Sequence, residues 1–199
     1  EGLGFDEHDA AQQTARIIGS NHHVERIGVD DLERLIQQIT SMVDEPLADS
    51  SLLATWKLMK TIADAGFKCA MSGDGADEIL GGYPTYFAHQ LARPSTPFRG
   101  LLNRVVRNLP VSQQGVSNDY MAKRFVQGLG LPWQRRHQVW MGAWLPDELD
   151  ASDAIWHRFD DISKQAGEDP ISRAMFLDQR TYLSDGVLVK VDRAAGAHG

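Results

Sequence analysis

Hydrophobic and polar positions along the first 83 residues alternate between a helical and an extended period. Ala11, Ala15 and Ile18 share one helical face, with Asp6 placed to cap that helix and Gly19 to stop it. His22 to Val29 reads as a strand. Asp30 and Glu33 form a capping-box-like pair ahead of Leu32, Leu35, Ile36, Ile39, Met42 and Val43, whose spacing predicts an amphipathic helix. Pro46 ends that helix, so Asp44 to Ser51 is a loop, and Ser50 or Ser51 caps a further helix that runs to Ala65 and stops at Gly66. Phe67, Cys69, Ala70 and Met71 read as a short buried strand, with the Cys69 thiol inside. The chain then enters Ser72-Gly73-Asp74-Gly75, which cannot continue a strand and has the glycines of a sharp turn. Alternation of helices and strands predicts an α/β fold with a parallel sheet and ligands at the strands' carboxyl ends.

After Pro84 the helical period takes over. Tyr86 to Ala92 predicts a short helix broken by Pro94 and Pro97, and Arg99 to Leu109 carries Leu101, Leu102, Val105, Val106 and Leu109 at helical spacing. Gln113 to Asn118 reads as a connection and Asp119 to Gln127 as another helix. Trp133, Trp140, Trp144 and Trp156 supply large apolar surfaces for core packing. Asp169-Pro170 starts a long helix, and Ser184-Asp185-Gly186 is read as a turn into Val187 to Arg193, where Lys190, Asp192 and Arg193 sit among apolar residues. The expected organisation is an α/β part over residues 1–92 and a mostly helical part over residues 93–199.

Composition adds little to this and charge adds more. With 42% hydrophobic and 24% charged residues, the 199-residue chain is ordinary for a globular protein. No apolar run approaches the ~20 residues that cross a bilayer, so no membrane association is expected, and the single Cys69 cannot form an intramolecular disulfide. A reducing, cytoplasmic setting follows as the expectation. The net charge of −7 is split: eight basic residues between Arg93 and Arg136 face the one acid Asp119. No nucleic-acid motif accompanies them, so a solvated basic face or a contact with another part of a parent enzyme is preferred to an RNA partner.

Candidate chemistry concentrates in Ser72 to Tyr83. Two glycines around an acid let the backbone approach a ligand, and Ser72 adds a hydroxyl, an arrangement suited to phosphate or ribose. Asp74, Asp77 and Glu78 crowd three carboxylates into five positions, and Mg²⁺ is the natural counter-ion for such a group. The same residues can equally be a plain turn followed by the acidic first turn of a helix.

Three motifs in order bear on that choice. Ser72-Gly73-Asp74-Gly75-Ala76-Asp77-Glu78 with Gly81-Gly82-Tyr83, Asp44-Glu45-Pro46-Leu47-Ala48-Asp49 upstream and Leu188-Val189-Lys190-Val191-Asp192-Arg193-Ala194 downstream closely resemble the synthetase domain of glutamine-hydrolysing asparagine synthetases. The resemblance is strong over about residues 1–92 and 170–198 and weak between them. It implies a partial Rossmann-like sheet of the adenine nucleotide alpha hydrolase type, as in the ATP pyrophosphatases. The family's Ser-Gly-Gly-x-Asp-Ser pyrophosphate loop is not found in the chain, nor is its glutaminase domain with a cysteine nucleophile. The family's catalytic lysine is expected beyond residue 199, so Lys190 is not that lysine. The chain is accordingly expected to be the middle of an enzyme, inactive by itself.

The resemblance also implies the reaction: a substrate carboxylate, aspartate in the family, attacks the α-phosphorus of ATP, and ammonia derived from glutamine then displaces AMP to form an amide. It assigns Ser72, Gly73, Gly75 and Lys190 to ATP, Asp77 to Mg²⁺ and Asp74 to the adenylate step, where the family often has Glu; on chemistry alone, Lys190 and Arg193 could as easily be structural partners of nearby acids. Partners would be ATP, the acid, ammonia and the rest of the parent enzyme with its glutaminase domain. Alternatives are a related amidotransferase or a synthetase acting on peptides or sugars, and a non-catalytic nucleotide- or RNA-binding module. The β-lactam-forming relatives carry tyrosine at the position of Asp74, which favours an external nitrogen nucleophile.

Overall fold

The computed structural model describes residues 8–41, 43–47, 49–110, 117–142 and 153–199, and every regular element among them is helical. Helix α1 spans His8–Ile18, α2 Val29–Thr40, α3 Ser51–Asp64, α4 Ala76–Leu80 and α5 Pro84–Ser95. A 3₁₀ turn at Thr96–Phe98 leads into α6 Arg99–Arg107, followed by α7 Asn118–Gly128, α8 Trp133–Met141, α9 Asp153–Ser163 and α10 Pro170–Arg180. A π-helical turn at Leu183–Val187 runs into α11 Leu188–Gly196. The proposed Asp6 cap, the 113–116 part of the connection, Met42, Ala48 and Trp144 lie outside the described residues.

The expected Rossmann-like parallel sheet is absent among the described residues, which corrects the α/β assignment. His22 to Gly28 and Phe67 to Gly73 are irregular and largely exposed. A strand exists only through a ladder to a neighbour, and neither segment has one among the described residues. The Phe67 N–H instead bonds to the Ile62 carbonyl (3.2 Å) and the Gly66 N–H to Ala63 (2.9 Å), a Schellman closure of α3 with Gly66 at φ +85°. Beyond that cap Phe67 is 65% exposed, and Cys69 lies on the surface instead of in a core.

Other sequence signals are realised with small shifts. Gly19 closes α1 in the same way as Gly66 closes α3, through Ser20 N–H to Ala15 (3.0 Å). The acid that caps α2 is Asp31, accepting from the Gly28 N–H at 3.1 Å, rather than the pair Asp30 and Glu33. Pro94 does not break its helix but sits in the last turn of α5. Ser184-Asp185-Gly186 is not a turn out of the helix either, because it forms the π-helical step that joins α10 to α11.

Two compact units emerge, one formed by Asn21–Leu80 with Asp178–Gly199 and the other by the segment up to Ser20 with Gly81–Leu177. In the first, Leu35, Ile39, Leu52, Trp56 and Ala194 make the core where α2, α3 and α11 meet. In the second, Tyr86, His89, Ala92, Val126, Leu129, His137 and Val139 are buried on α5, α7, α8 and the turn after α7. Trp140 donates from Nε1 to the carbonyls of Arg124 (3.0 Å) and Phe125 (3.3 Å), and only a glycine at 128 leaves room for its ring.

Candidate functional site

The glycine turn is built as a lead-in to α4. The Ala76 N–H bonds to Gly73 (3.1 Å) and the Ile79 N–H to Gly75 (3.1 Å), so Gly75 is the point where the chain turns into the helix. Its φ of +87° favours glycine, and a Cβ there would stand 3.2 Å from Leu183 Cδ1. Gly73 faces open space, with nothing within 4 Å of the position a Cβ would take. Ser72, Asp74 and Asp77 are exposed, whereas Glu78 is only 1% exposed and turns inward. The three carboxylates therefore do not act as one group. Asp74 and Asp77 present charge to solvent, and Glu78 belongs to the interior.

Side chains far along the sequence hold this turn. Gln179 Nε2 donates to the Glu78 carbonyl at 2.8 Å, and Leu183 packs against Gly75. Neither residue carries a local sequence signal for such a role. Asp178, next to Gln179, is buried, and Arg180 is exposed.

The two outer motifs are brought into contact. Lys190 donates from Nζ to Ser51 Oγ (2.7 Å) and to Asp49 Oδ2 (3.2 Å), and Arg193 donates to Asp44 Oδ2 (2.8 Å). Asp49 Oδ1 also accepts from the Ser51 N–H at 2.9 Å, which places the acid at the entrance to α3. Burial pushes the Asp49 carboxyl upward, but hydrogen bonds from Ser51 and the nearby Lys190 outweigh it and hold the group below the usual carboxylate range. Lys190, assigned to ATP by resemblance, is thus an ion-pair partner of the upstream acidic loop. Asp49 belongs to the upstream acidic motif, and Ser51 opens α3.

Fit to a nucleotide and its metal can be judged from the turn. Among the described residues no group of three or more His, Cys, Asp or Glu is placed to hold an ion by itself. Mg²⁺ commonly takes one or two protein carboxylates and completes its shell with phosphate oxygens and water, and the exposed Asp77 beside an open glycine turn fits that pattern.

The basic segment is partly absorbed internally. Lys123 pairs with Asp119 at 3.4 Å, Arg124 donates to the Gly142 carbonyl at 2.6 Å, and Arg135 and Arg136 lie over Trp156 and Trp140. Arg93, Arg99, Arg104 and Arg107 stay exposed. No helix among the described residues is long and apolar enough to cross a membrane.

Comparison with known proteins agrees with the motif pattern. A Mycobacterium tuberculosis protein named "Putative asparagine synthetase (glutamine-hydrolyzing)" is 29% identical over 203 residues, covering 98% of this chain and 30% of that protein. "Asparagine synthetase (glutamine-hydrolyzing) 1" of Bacillus subtilis is 24% identical over 209 residues, covering 100% of this chain and 32% of its own length. "Amidase chry2" of Gibberella zeae is 26% identical over 129 residues, 62% of this chain and 19% of that protein. The chain thus spans about a third of the length of the asparagine synthetases it matches. No solved structure matches it. The family description Asparagine synthase fits residues 1–199, so the chain belongs to the asparagine synthase family.

Proposed function

We propose that this chain is part of the synthetase portion of an ATP-dependent enzyme that converts a carboxylic acid, with aspartate as the acid, into its amide using ammonia released from glutamine. The observation that carries the reading is the family match over residues 1–199, joined to a glycine turn whose Ser72, Asp74 and Asp77 are exposed. In this reading the Ser72 hydroxyl and the backbone around Gly73 and Gly75 receive the nucleotide: the open side of Gly73 lets phosphate oxygens come close to N–H groups, and Gly75, packed against Leu183, makes the turn. Asp77 would hold Mg²⁺, which would offset the charge of the departing pyrophosphate. Asp74 accepts a proton from the incoming ammonium, because only neutral nitrogen has the lone pair that attacks the acyl-adenylate. Adenylation replaces a carboxylate oxygen, a poor leaving group, by AMP, a good one.

The parent's glutaminase domain and the aspartate specificity come from the family, and the names of the relatives support them. The test is pyrophosphate exchange into ATP by the full-length protein, with aspartate present or omitted. Aspartate-dependent exchange is the expected result, and its absence overturns the reading.

A further inference from the structure

Two of the motif segments are held by one helical stretch, Asp178 to Gly196. Its first part grips the glycine turn through Gln179, which donates to the Glu78 carbonyl (2.8 Å), and through Leu183 at Gly75. Its second part grips the acidic loop through Lys190 to Asp49 and Ser51 and through Arg193 to Asp44. Leu183 and Lys190 are separated along the axis by roughly 10 Å, taking a helical rise of about 1.5 Å per residue. Turn and loop are therefore placed relative to each other by a single rigid element.

Lys190 is the enclosed member of the second grip, 7% exposed, while Arg193 is half-buried and its partner Asp44 is exposed. An ammonium withdrawn from water needs acceptors, and it has two, on the two ends of the short Asp49–Ser51 step. Asp49 divides its oxygens, one to the Ser51 N–H and one to Lys190, so the three residues close a ring of contacts. A cation committed in this way acts on the protein and not on a ligand.

We propose that Lys190 is a positioning residue for amide formation: with Asp49 and Ser51 it fixes the Asp44–Asp49 loop on the helix that also carries the Ser72–Asp77 turn, and it serves the reaction without touching the nucleotide. The proposal rests on the reading of function given above.

Its test uses the full-length protein and aspartate-dependent pyrophosphate exchange. Lys190→Met and Asp49→Asn should each lower kcat, by up to roughly 100-fold if the loop is displaced by about 1 Å, with KM for ATP little changed. The double variant should be no slower than the worse single one, because both changes open the same ring. Lys190→Arg, which keeps donors for both acceptors, should lose less than Lys190→Met. If Lys190→Met does not fold, Ser51→Ala removes one acceptor and takes its place in the comparison. A raised KM for ATP in Lys190→Met, with Asp49→Asn at wild-type rate, overturns the proposal in favour of direct nucleotide contact. Full kcat in every variant, with only a lower melting temperature, also overturns it. Absence of exchange in the wild type instead overturns the functional reading itself.

Discussion

His89 Nε2 and His137 Nδ1 lie 3.0 Å apart in a buried hydrogen bond, walled by Trp133, Trp140 and Tyr86. Both rings are closed off from water, and the other nitrogen of His89 has no hydrogen-bond partner. Burial, and then the nearby His137, Arg136 and Arg173, push the His89 pKa from 6.5 down to about 2.

That depression makes the helical unit acid-sensitive. Below pH 6.5 the unfolded chain takes up a proton that the folded chain refuses, so this contribution to stability is complete above pH 6.5 and is lost as pH falls towards 2. The limiting slope is about 1.4 kcal/mol per pH unit. Urea melts between pH 7.5 and 5 should show the wild type losing stability on acidification more steeply than His89→Gln. Equal slopes in the two proteins would show that His89 does not titrate in this way.

Gly128→Ala reverses a common rule. In an open helix the change is stabilising by up to about 1 kcal/mol, but here the new Cβ would meet the Trp140 indole nitrogen and stand 2.9 Å from Arg136 Cγ. A loss of about 1–3 kcal/mol is expected from the overpacking. Chemical denaturation of the variant settles the sign.

Asp74 and Asp77 are exposed, so replacing either with Asn should move stability by less than about 0.5 kcal/mol. In the full-length protein Asp77→Asn should abolish pyrophosphate exchange. Asp74→Asn should slow amide formation much more than it weakens ATP binding, since proton acceptance needs an ionised oxygen. Wild-type exchange by Asp77→Asn together with wild-type amide formation by Asp74→Asn would reduce the glycine turn to architecture.

Cys69 follows the structure rather than the strand expectation. It lies on the surface beyond the α3 cap. A thiol reagent should label it in the native protein nearly as fast as in denaturant, and strong native protection would restore the buried strand.

What could be read from the chain was local. Gly19 and Gly66 end their helices as their sequence positions suggest, because a Schellman closure needs only a few consecutive residues. The strand expectation fails because Phe67, Cys69 and Met71 have the right alternation, but a ladder depends on a neighbour that alternation does not specify, and Met71 is 102% exposed. Ser72 to Asp77 was legible as a unit since its residues are contiguous. The Lys190–Asp49 pair joins residues 141 positions apart, and Gln179 reaches Glu78 across 101. Both ends of the first pair were visible as charged motif residues, yet no periodicity links them, and Gln179 had nothing to distinguish it from a surface glutamine.

The π-helical turn at Leu183–Val187 has a consequence for insertions and deletions. Such a turn is an α-helix carrying one extra residue. Because the turn takes up that residue locally, deleting one here would let it relax to ordinary α geometry while leaving the downstream side chains close to their present faces. A deletion within α11 before Lys190 has no such reserve: each residue advances an α-helix by about 100°, so Lys190 and Arg193 would swing away from Asp49 and Asp44, although no residue of either pair had been altered. The same one-residue loss is thus absorbed at Leu183–Val187 and breaks both pairs a few residues later, a contrast that a substitution scan would pass over and single-codon deletions would expose.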